Sequence, residues 1–318
     1  MKKSTSKREL SQEIKKQAYS LGFDLVGIAS IPGSSRLKLR TESLQRWLEH
    51  GYQADMNWMQ SPKRQNIYSL LENAESIICV GLNYYLGKNK NNELKIAKFA
   101  WGNDYHKVIT SRLKHLGLWL KTIKPNANSK VCVDSSPLLE KAWAEEAGLG
   151  WIGKHSTVIN KKYGSWIVLG YLITSEELEA DQPAKAQCGS CNKCLELCPT
   201  NAIKEPFVVD SKSCIAYHTI ENREKKLPYF IEKSMDKWVA GCDICQDVCP
   251  WNKKSIKNTT DKDLIAKEWM LNLNESSLNW TEEMWKDKLK DTTLKRIKPW
   301  MWKRNISAAI KNKTKGAK

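Results

Sequence analysis

Apolar and polar residues recur along this chain in two periods, and the first 175 residues switch between them repeatedly. Leu10, Ile14, Gln17, Ala18 and Leu21 form one stripe at helical spacing over Ser6 to Leu21, and Gly22 ends it. A short apolar strand follows at Asp24 to Ala29, then a helix from about Thr41 to His50 that carries Leu44, Trp47 and Leu48 inward. Ser76 to Asn83 reads as a buried strand, and Asp104 to Ile123 as a long helix with Val108, Leu113, Leu116 and Leu120 apolar. Val131 to Asp134 is a further strand, after which Pro137 opens a helix to Ala147, proline being suited to a first turn. Thr157 to Asn160 and Ser165 to Thr174 bracket Lys162-Tyr163-Gly164 as a hairpin. This alternation predicts a layered α/β or α+β domain. Past about residue 252 the pattern turns helical, with Trp280, Met284, Trp285, Leu289 and Leu294 on one apolar face.

A chain of 318 residues has room for two or three domains. No stretch approaches 18 consecutive apolar residues, so no membrane span is expected. Met1 to Ser20 is charged and helix-forming with no apolar signal core, which points to a cytoplasmic, reducing setting. Nothing argues for an oligomer, and a monomer is the expectation. Lys plus Arg number 52 against 35 Asp plus Glu, a net charge of +17. The excess is uneven: from Trp251 onward there are 17 basic and 8 acidic residues, and Lys295 to Lys318 holds nine basic residues and no acid. Such a surface suits a polyanion, nucleic acid phosphates first and an anionic membrane second. Lys311 to Lys318 alone reads as a solvated, frayed end. Trp300 and Trp302 read as helix-packing residues before base-stacking platforms.

Ten cysteines bring in the chemistry. Cys188, Cys191, Cys194 and Cys198, closed by Pro199, follow C-x2-C-x2-C-x3-C-P, in which three thiolates hold one four-iron cluster and the fourth reaches a second. The partner set is Cys214, Cys242, Cys245 and Cys249, again closed by a proline, Pro250. The spacing assigns Cys188, Cys191, Cys194 and Cys249 to one cluster and Cys198, Cys214, Cys242 and Cys245 to the other. An insertion separates Cys214 from Cys242. Two interlocked runs fit separate tetrahedral zinc sites poorly, and Cys79 and Cys132, in apolar runs, read as core.

Clusters pass single electrons, so a second redox centre is expected, with flavin, haem and corrinoid as candidates. No C-x-x-C-H haem attachment exists, and the five histidines, His50, His106, His115, His155 and His218, do not by themselves identify an axial ligand. Asp104 to Ile109 begins like the D-x-H-x-x-G cobalt-binding sequence but has Ile109 where glycine is required, which argues against histidine on cobalt, not against a corrinoid. Gly148 to Gly153 matches G-x-G-x-x-G literally, yet a helix precedes it and a strand follows. That order excludes the dinucleotide fingerprint and leaves a tight turn or the close approach of another ligand. Asp134 ends an apolar strand ahead of a helix, where open sheets place ligands. Val131, Val133, Pro137 and Leu138 would desolvate it, raise its pKa and make it a proton donor; a helix cap is the equal alternative.

The runs Val131 to Lys141, Ala147 to His155, Cys188 to Pro199, Cys214 to Glu221 and Gly241 to Pro250 together resemble the epoxyqueuosine reductase family over nearly the whole chain. The resemblance implies a cobalamin-dependent oxidoreductase with two [4Fe-4S] clusters that reduces epoxyqueuosine to queuosine at the tRNA wobble position, driven by an unidentified electron donor. It implies a nitroreductase-like, corrinoid-binding reductase domain over 1–178, a ferredoxin-type domain over 179–252 and a basic, HEAT-like helical segment over 253–318. Residue by residue, it makes Asp134 the proton donor and sets Asp104, Tyr105 and His106 near the corrinoid. Asn57, Ala97, His155 and Val158 fall in further corrinoid-lining segments, with Ser211 and Asp243 as contacts from the cluster side. Many members continue into more helical repeats after the segment matching Arg304-Asn305, where this chain soon stops. The tRNA grip is therefore expected to be reduced, with Lys295, Arg296, Lys298, Lys303 and Arg304 retained for RNA. The competing readings are a small-molecule corrinoid reductase like the reductive dehalogenases, which has no use for the basic tail, and a non-catalytic electron carrier.

Overall fold

Ser6 starts the first helix with a reciprocal cap, its hydroxyl accepting from the Glu9 N–H while the Glu9 carboxylate accepts from the Ser6 N–H. The computed structural model describes residues 6–88, 93–253 and 256–315; the charged start before Ser6 and the end of the lysine-rich tail lie outside them. Helix α1 (Lys7–Ser20) buries Leu10, Ile14 and Ala18, the stripe its periodicity predicts. Strand β1 (Leu25–Ser30) follows, then α2 (Ser35–Glu49), β2 (Ser76–Asn83), β3 (Lys95–Ile96) and α3 (Tyr105–Ile123). Next come β4 (Ser129–Cys132), α4 (Glu140–Glu146), β5 (Trp151–Ile152), β6 (Val158–Ile159) and β7 (Ile167–Thr174).

Four strands form an antiparallel sheet in the order β1-β2-β7-β4, with β2 and β7 paired from Ser76 opposite Thr174 to Asn83 opposite Ile167. Every residue of β2 is buried because both faces are covered. Ile78, Val80 and Leu82 pack under α1 and α3, while Ile77 and Cys79 face α4 on the other side. The fold is thus a mixed helix and sheet architecture in three layers, and Cys79 and Cys132 are core residues, fully buried. The layers approach closely at Gly27, where a β-carbon would collide with the Ala147 carbonyl just past α4. Gly27→Ala should destabilise the protein by roughly 1 to 3 kcal/mol through overpacking, read by denaturant unfolding; an unchanged midpoint would contradict this packing.

Several expectations are corrected. The hairpin around Lys162-Tyr163-Gly164 does not form: β6 pairs back with β5, while β7 leaves to pair with β2 and β4, and only an isolated bridge joins Asn160 to Gly164. Pro137 does not start a helix. The chain makes a tight turn after Val133, with Asp134 at a left-handed φ of 47°, and α4 begins only at Glu140 with no side-chain cap. Helix α2 starts six residues earlier than expected, and Leu44, Trp47 and Leu48 are only partly buried. Leu44 and Trp47 line a cavity instead of the core. On the C-terminal face Trp285, Leu289 and Leu294 are buried, but Met284 is 46% exposed.

Two short helices, α5 (Lys193–Glu196) and α8 (Ile244–Asp247), pack together. Between them lie the hairpin of β8 (Ile203–Glu205) and β9 (Val208–Val209), then α6 (Ile215–Ile220), α7 (Tyr229–Ser234) and β10 (Trp238–Ala240). Strand β10 pairs in parallel with β3, tying the insertion after Cys214 to the first half of the chain. The C-terminal helices are α9 (Glu268–Leu271), α10 (Glu282–Leu289) and α11 (Pro299–Lys315). They share one core: Leu294, Met301, Trp302 and Ile306 pack against Leu94, Ile96, Trp101 and Val239. Trp302 is therefore a packing residue. No helix among the described residues is long and apolar enough to cross a membrane.

Candidate active site and cluster cavities

Asp134 reaches its position because the strand stops at Cys132 and the chain reverses at once, held by an N–H of Asp134 that donates to Glu140 Oε1 at 2.6 Å. Its carboxylate does not cap α4. Asp134 Oδ2 instead lies 2.9 Å from His106 Nε2, and the other ring nitrogen, Nδ1, lies 2.6 Å from Asp104 Oδ1. Asp104 caps α3 and is buried. Its second oxygen accepts from Lys295 Nζ at 2.7 Å. A continuous chain of charge thus runs Asp134, His106, Asp104, Lys295, drawn from three separate segments. Tyr105 stacks on the His106 ring at 4.1 Å and steadies its plane. With both nitrogens engaged, His106 has none left for a metal, in line with the missing glycine at Ile109, which is buried in the core.

The electrostatics differ from the expectation of a high-pKa Asp134. Burial does push its carboxyl up, but the His106 hydrogen bond and charge, with Arg296 and Lys141, outweigh it and hold the group below the ordinary aspartate value. Its side chain keeps 46% of its surface accessible, so bulk water also screens it. The proton sits on its neighbours. His106 is lowered by burial but raised further by its two carboxylates, to about 9. Burial and the charge of Asp134 push Glu140 up to about 8. Both are protonated at neutral pH beside an ionised Asp134. Glu140 was missed in the sequence although it lies in the Val131 to Lys141 run; its burial comes from tertiary packing.

The cysteines fall around two cavities. Cys188, Cys191, Cys194 and Cys249 line one of about 310 Å³. Cys198, Cys214, Cys242 and Cys245 line part of another, of about 860 Å³, whose far wall includes Trp47, Met56, Met59 and Phe207. Among the described residues no group of His, Cys, Asp or Glu is arranged to hold a single metal ion. Four thiols gathered around one cavity suit a cluster of several irons, not one zinc.

The remaining predicted residues divide. His155 and Ser211 line the larger cavity, and His155 also borders the smaller one. Burial and the charge of Lys141 lower His155 to about 4, so it is neutral. Asn57 is exposed beside the lining residues Met56 and Met59. Ala97, Val158 and Asp243 are packed inside and line neither cavity, and Asp104, Tyr105, His106 and Asp134 do not line them either, Lys141 being the residue of the Val131 to Lys141 run on the larger cavity's wall. Val158 sits in the core under α4. Asp243 Oδ2 accepts from the Lys98 N–H at 2.8 Å and pairs with Lys98 Nζ at 3.5 Å. The tail cations also divide. Lys298 and Lys303 are exposed, but Lys295 is held by Asp104 and Arg296 pairs with Glu221 at 2.9 Å. Arg304 spends its guanidinium on the carbonyls of His218, Asn222 and Glu224.

Gly148 to Gly150 lies between α4 and β5, with Gly148 at a φ of +76° and Gly150 pressed against the Ile159 carbonyl, while Trp151 and Ile152 of the same run are β5 itself. It is a tight turn from helix to strand.

Comparison with known proteins agrees with this arrangement. Residues 187–252 match a 4Fe-4S double cluster binding domain, and residues 64–135 match a family described as Epoxyqueuosine reductase QueG, DUF1730. An epoxyqueuosine reductase of Prochlorococcus marinus (strain NATL2A) is 55% identical over 95% of this chain and 98% of its own length. A crystal structure of epoxyqueuosine reductase with an epoxyqueuosine-modified tRNA-Tyr stem loop superposes with a TM-score of 0.85 at 28% identity, over 96% of this chain and 81% of that one. The Bacillus subtilis enzyme, described with an aspartate-bearing catalytic loop swung out of the active site, gives 0.83 at 26% identity, over 96% and 82%.

Proposed function

This chain belongs to the epoxyqueuosine reductase family and reduces epoxyqueuosine in tRNA to queuosine, and from that premise we propose that Asp134 and His106 form its proton-delivery pair and that the larger cavity holds a corrinoid. The observation that carries the reading is the 2.9 Å contact between Asp134 Oδ2 and a His106 that keeps its proton to about pH 9. Removing the epoxide oxygen as water and leaving an alkene consumes two electrons and two protons. Two groups beside Asp134 are protonated at neutrality, the His106 imidazolium and the Glu140 carboxyl.

The domain reading is a corrinoid-binding reductase domain over 1–178, a ferredoxin-type domain over 179–252 and a basic helical segment over 253–318. The 860 Å³ cavity suits a large flat cofactor: its wall is largely apolar, and it opens directly onto the second set of cysteines. Trp47, Met56, Met59, His155 and Ser211 would hold a corrinoid there, with Asn57 at the rim. Cys198, Cys214, Cys242 and Cys245 would then carry the inner cluster, and Cys188, Cys191, Cys194 and Cys249 the outer. When bound, the clusters would supply single electrons and a corrinoid would supply the reducing power at the epoxide carbon.

The protein's own groups do the rest. Asp104 and Lys295 fix the imidazole plane from behind, so that the Nε2 proton points at Asp134. Asp134, ionised at rest, takes that proton and passes it on to the departing oxygen, and a carboxylate relay is efficient because donor and acceptor are already in hydrogen-bond contact. The His106 pKa is raised, so the proton is present below about 9 and lost as pH rises through it. Single-turnover reduction should therefore hold from neutrality and fall above pH 9, and His106→Gln should abolish that limb while lowering the rate. A wild-type rate that stays level to pH 10.5, roughly 1.5 units past the His106 value, would remove His106 from the reaction. The tRNA is the partner that the tail charge suits, and its affinity should drop steeply with salt.

A further inference from the structure

Ferredoxin-type spacing needs only two residues where this chain has 215–241 between Cys214 and Cys242, so the insertion serves something other than cluster ligation. It is bolted to the C-terminal segment. Asn305 Nδ2 donates to the carbonyls of Thr219 and Val239 at 2.8 and 2.9 Å. Arg304 caps the end of α6 through His218 and Asn222, and Arg223 Nη1 donates to the Arg296 carbonyl at 3.0 Å. These bonds commit the Arg304 guanidinium to the insertion's backbone, and Arg296 is joined to the insertion through its carbonyl and its pair with Glu221.

They also merge two surfaces. The insertion has four acids, and three are already neutralised by cations outside it: Glu221 by Arg296, Glu232 by Lys311 and Asp236 by Lys95. Lys225 and Lys226 are exposed and form no ion pair among the described residues. Lys225 Nζ stands 4.4 Å over the Trp300 ring, which places it against α11, where Lys303 is also exposed, with Lys298 just ahead of it. The same strip leads to the active site, because Lys295 binds Asp104 and the Arg296 charge acts on Asp134.

We propose that the 215–241 insertion and the C-terminal segment form one RNA-backbone face, on which Lys225, Lys226, Lys298 and Lys303 take the phosphates of the substrate stem-loop. The inference rests on the tRNA reading and assigns its grip to residues on two elements instead of to the tail run alone. Unpaired ammonium groups on a face continuous with the proton relay suit a polyanion whose modified base must reach Asp134.

The test measures binding of an epoxyqueuosine-containing anticodon stem-loop across a salt series, using the full chain with its clusters reconstituted. Lys225→Gln with Lys226→Gln should weaken binding and reduce the slope of log affinity against log salt by roughly 1.5, at 0.7 to 0.9 per lost phosphate contact. Lys114→Gln with Lys121→Gln, exposed on α3, should leave both unchanged. The Lys298→Gln, Lys303→Gln pair, on a different element, guards against a local folding defect and should repeat the first result. Wild-type binding with no change in either face pair, or an equal change in the α3 pair, overturns the proposal. Absence of salt-dependent binding by the wild type would overturn the tRNA reading, and the proposal with it.

Discussion

Asp134→Asn is expected to lower single-turnover reduction of epoxyqueuosine-tRNA by roughly 100-fold or more, the usual worth of a positioned general acid. Asparagine is the informative replacement because Asp134 adopts a left-handed φ of 47°, which asparagine tolerates and alanine resists. The amide keeps a hydrogen bond toward His106 Nε2 but cannot accept and pass a proton. Iron content and stem-loop affinity should be unchanged, since neither the cysteines nor the exposed lysines touch this group. A variant within about fivefold of wild type would reduce Asp134 to a turn residue, since a general acid contributes at least about 100-fold. The expectation concerns delivery and not storage: the structure keeps Asp134 ionised and holds the proton on His106, so the two variants should share a lesion and their double variant should lose little more than either alone.

Cys249→Ala should remove one whole cluster although Cys249 lies 55 residues beyond Cys194. Iron should fall from about eight to about four per chain, and turnover on tRNA to background, because in the proposed order electrons enter through the cluster that Cys249 would help to hold. Grouping makes the test sharp. Cys249→Ala and Cys194→Ala should leave the same electron paramagnetic resonance spectrum, and Cys198→Ala and Cys245→Ala should leave a different one, in keeping with the two cavities that these side chains line. A Cys249→Ala spectrum matching that of Cys245→Ala would reverse the interlocked pairing.

The grouping of the cysteines was legible because cluster ligation imposes a spacing on the chain itself. Helix and strand existence was legible for the same kind of reason: α1 and β2 bury most of the residues their periods select, and α3 buries Leu113, Leu116 and Leu120, with Ile109 taking the core position where Val108 was expected. What escaped depends on partners distant in sequence. The hairpin at Lys162 to Gly164 failed because β7 finds two longer neighbours, β2 and β4, and gains more pairing there. The apolar side of α2 looked like a core face, yet Leu44 and Trp47 line a cavity, and periodicity cannot tell a core from a cofactor wall. Asp134 was identifiable as a special carboxylate, but not its proton balance, which is set by His106, 28 residues away. The tail charges were visible as a run, whereas their division into cations tied to neighbours and lysines outside any ion pair among the described residues depends on the elements that pack against them.

In the proposed reaction, electrons from the two clusters reach the epoxide through a corrinoid while Asp134 and His106 supply the proton. Its most direct test is anaerobic reconstitution of the chain with iron and sulfide, with and without cobalamin, followed by reductant, epoxyqueuosine-tRNA and nucleoside mass spectrometry. Both preparations should hold about eight irons, as two four-iron clusters require, and queuosine should form only where cobalamin is bound. Queuosine formed at the same rate without cobalamin would contradict it.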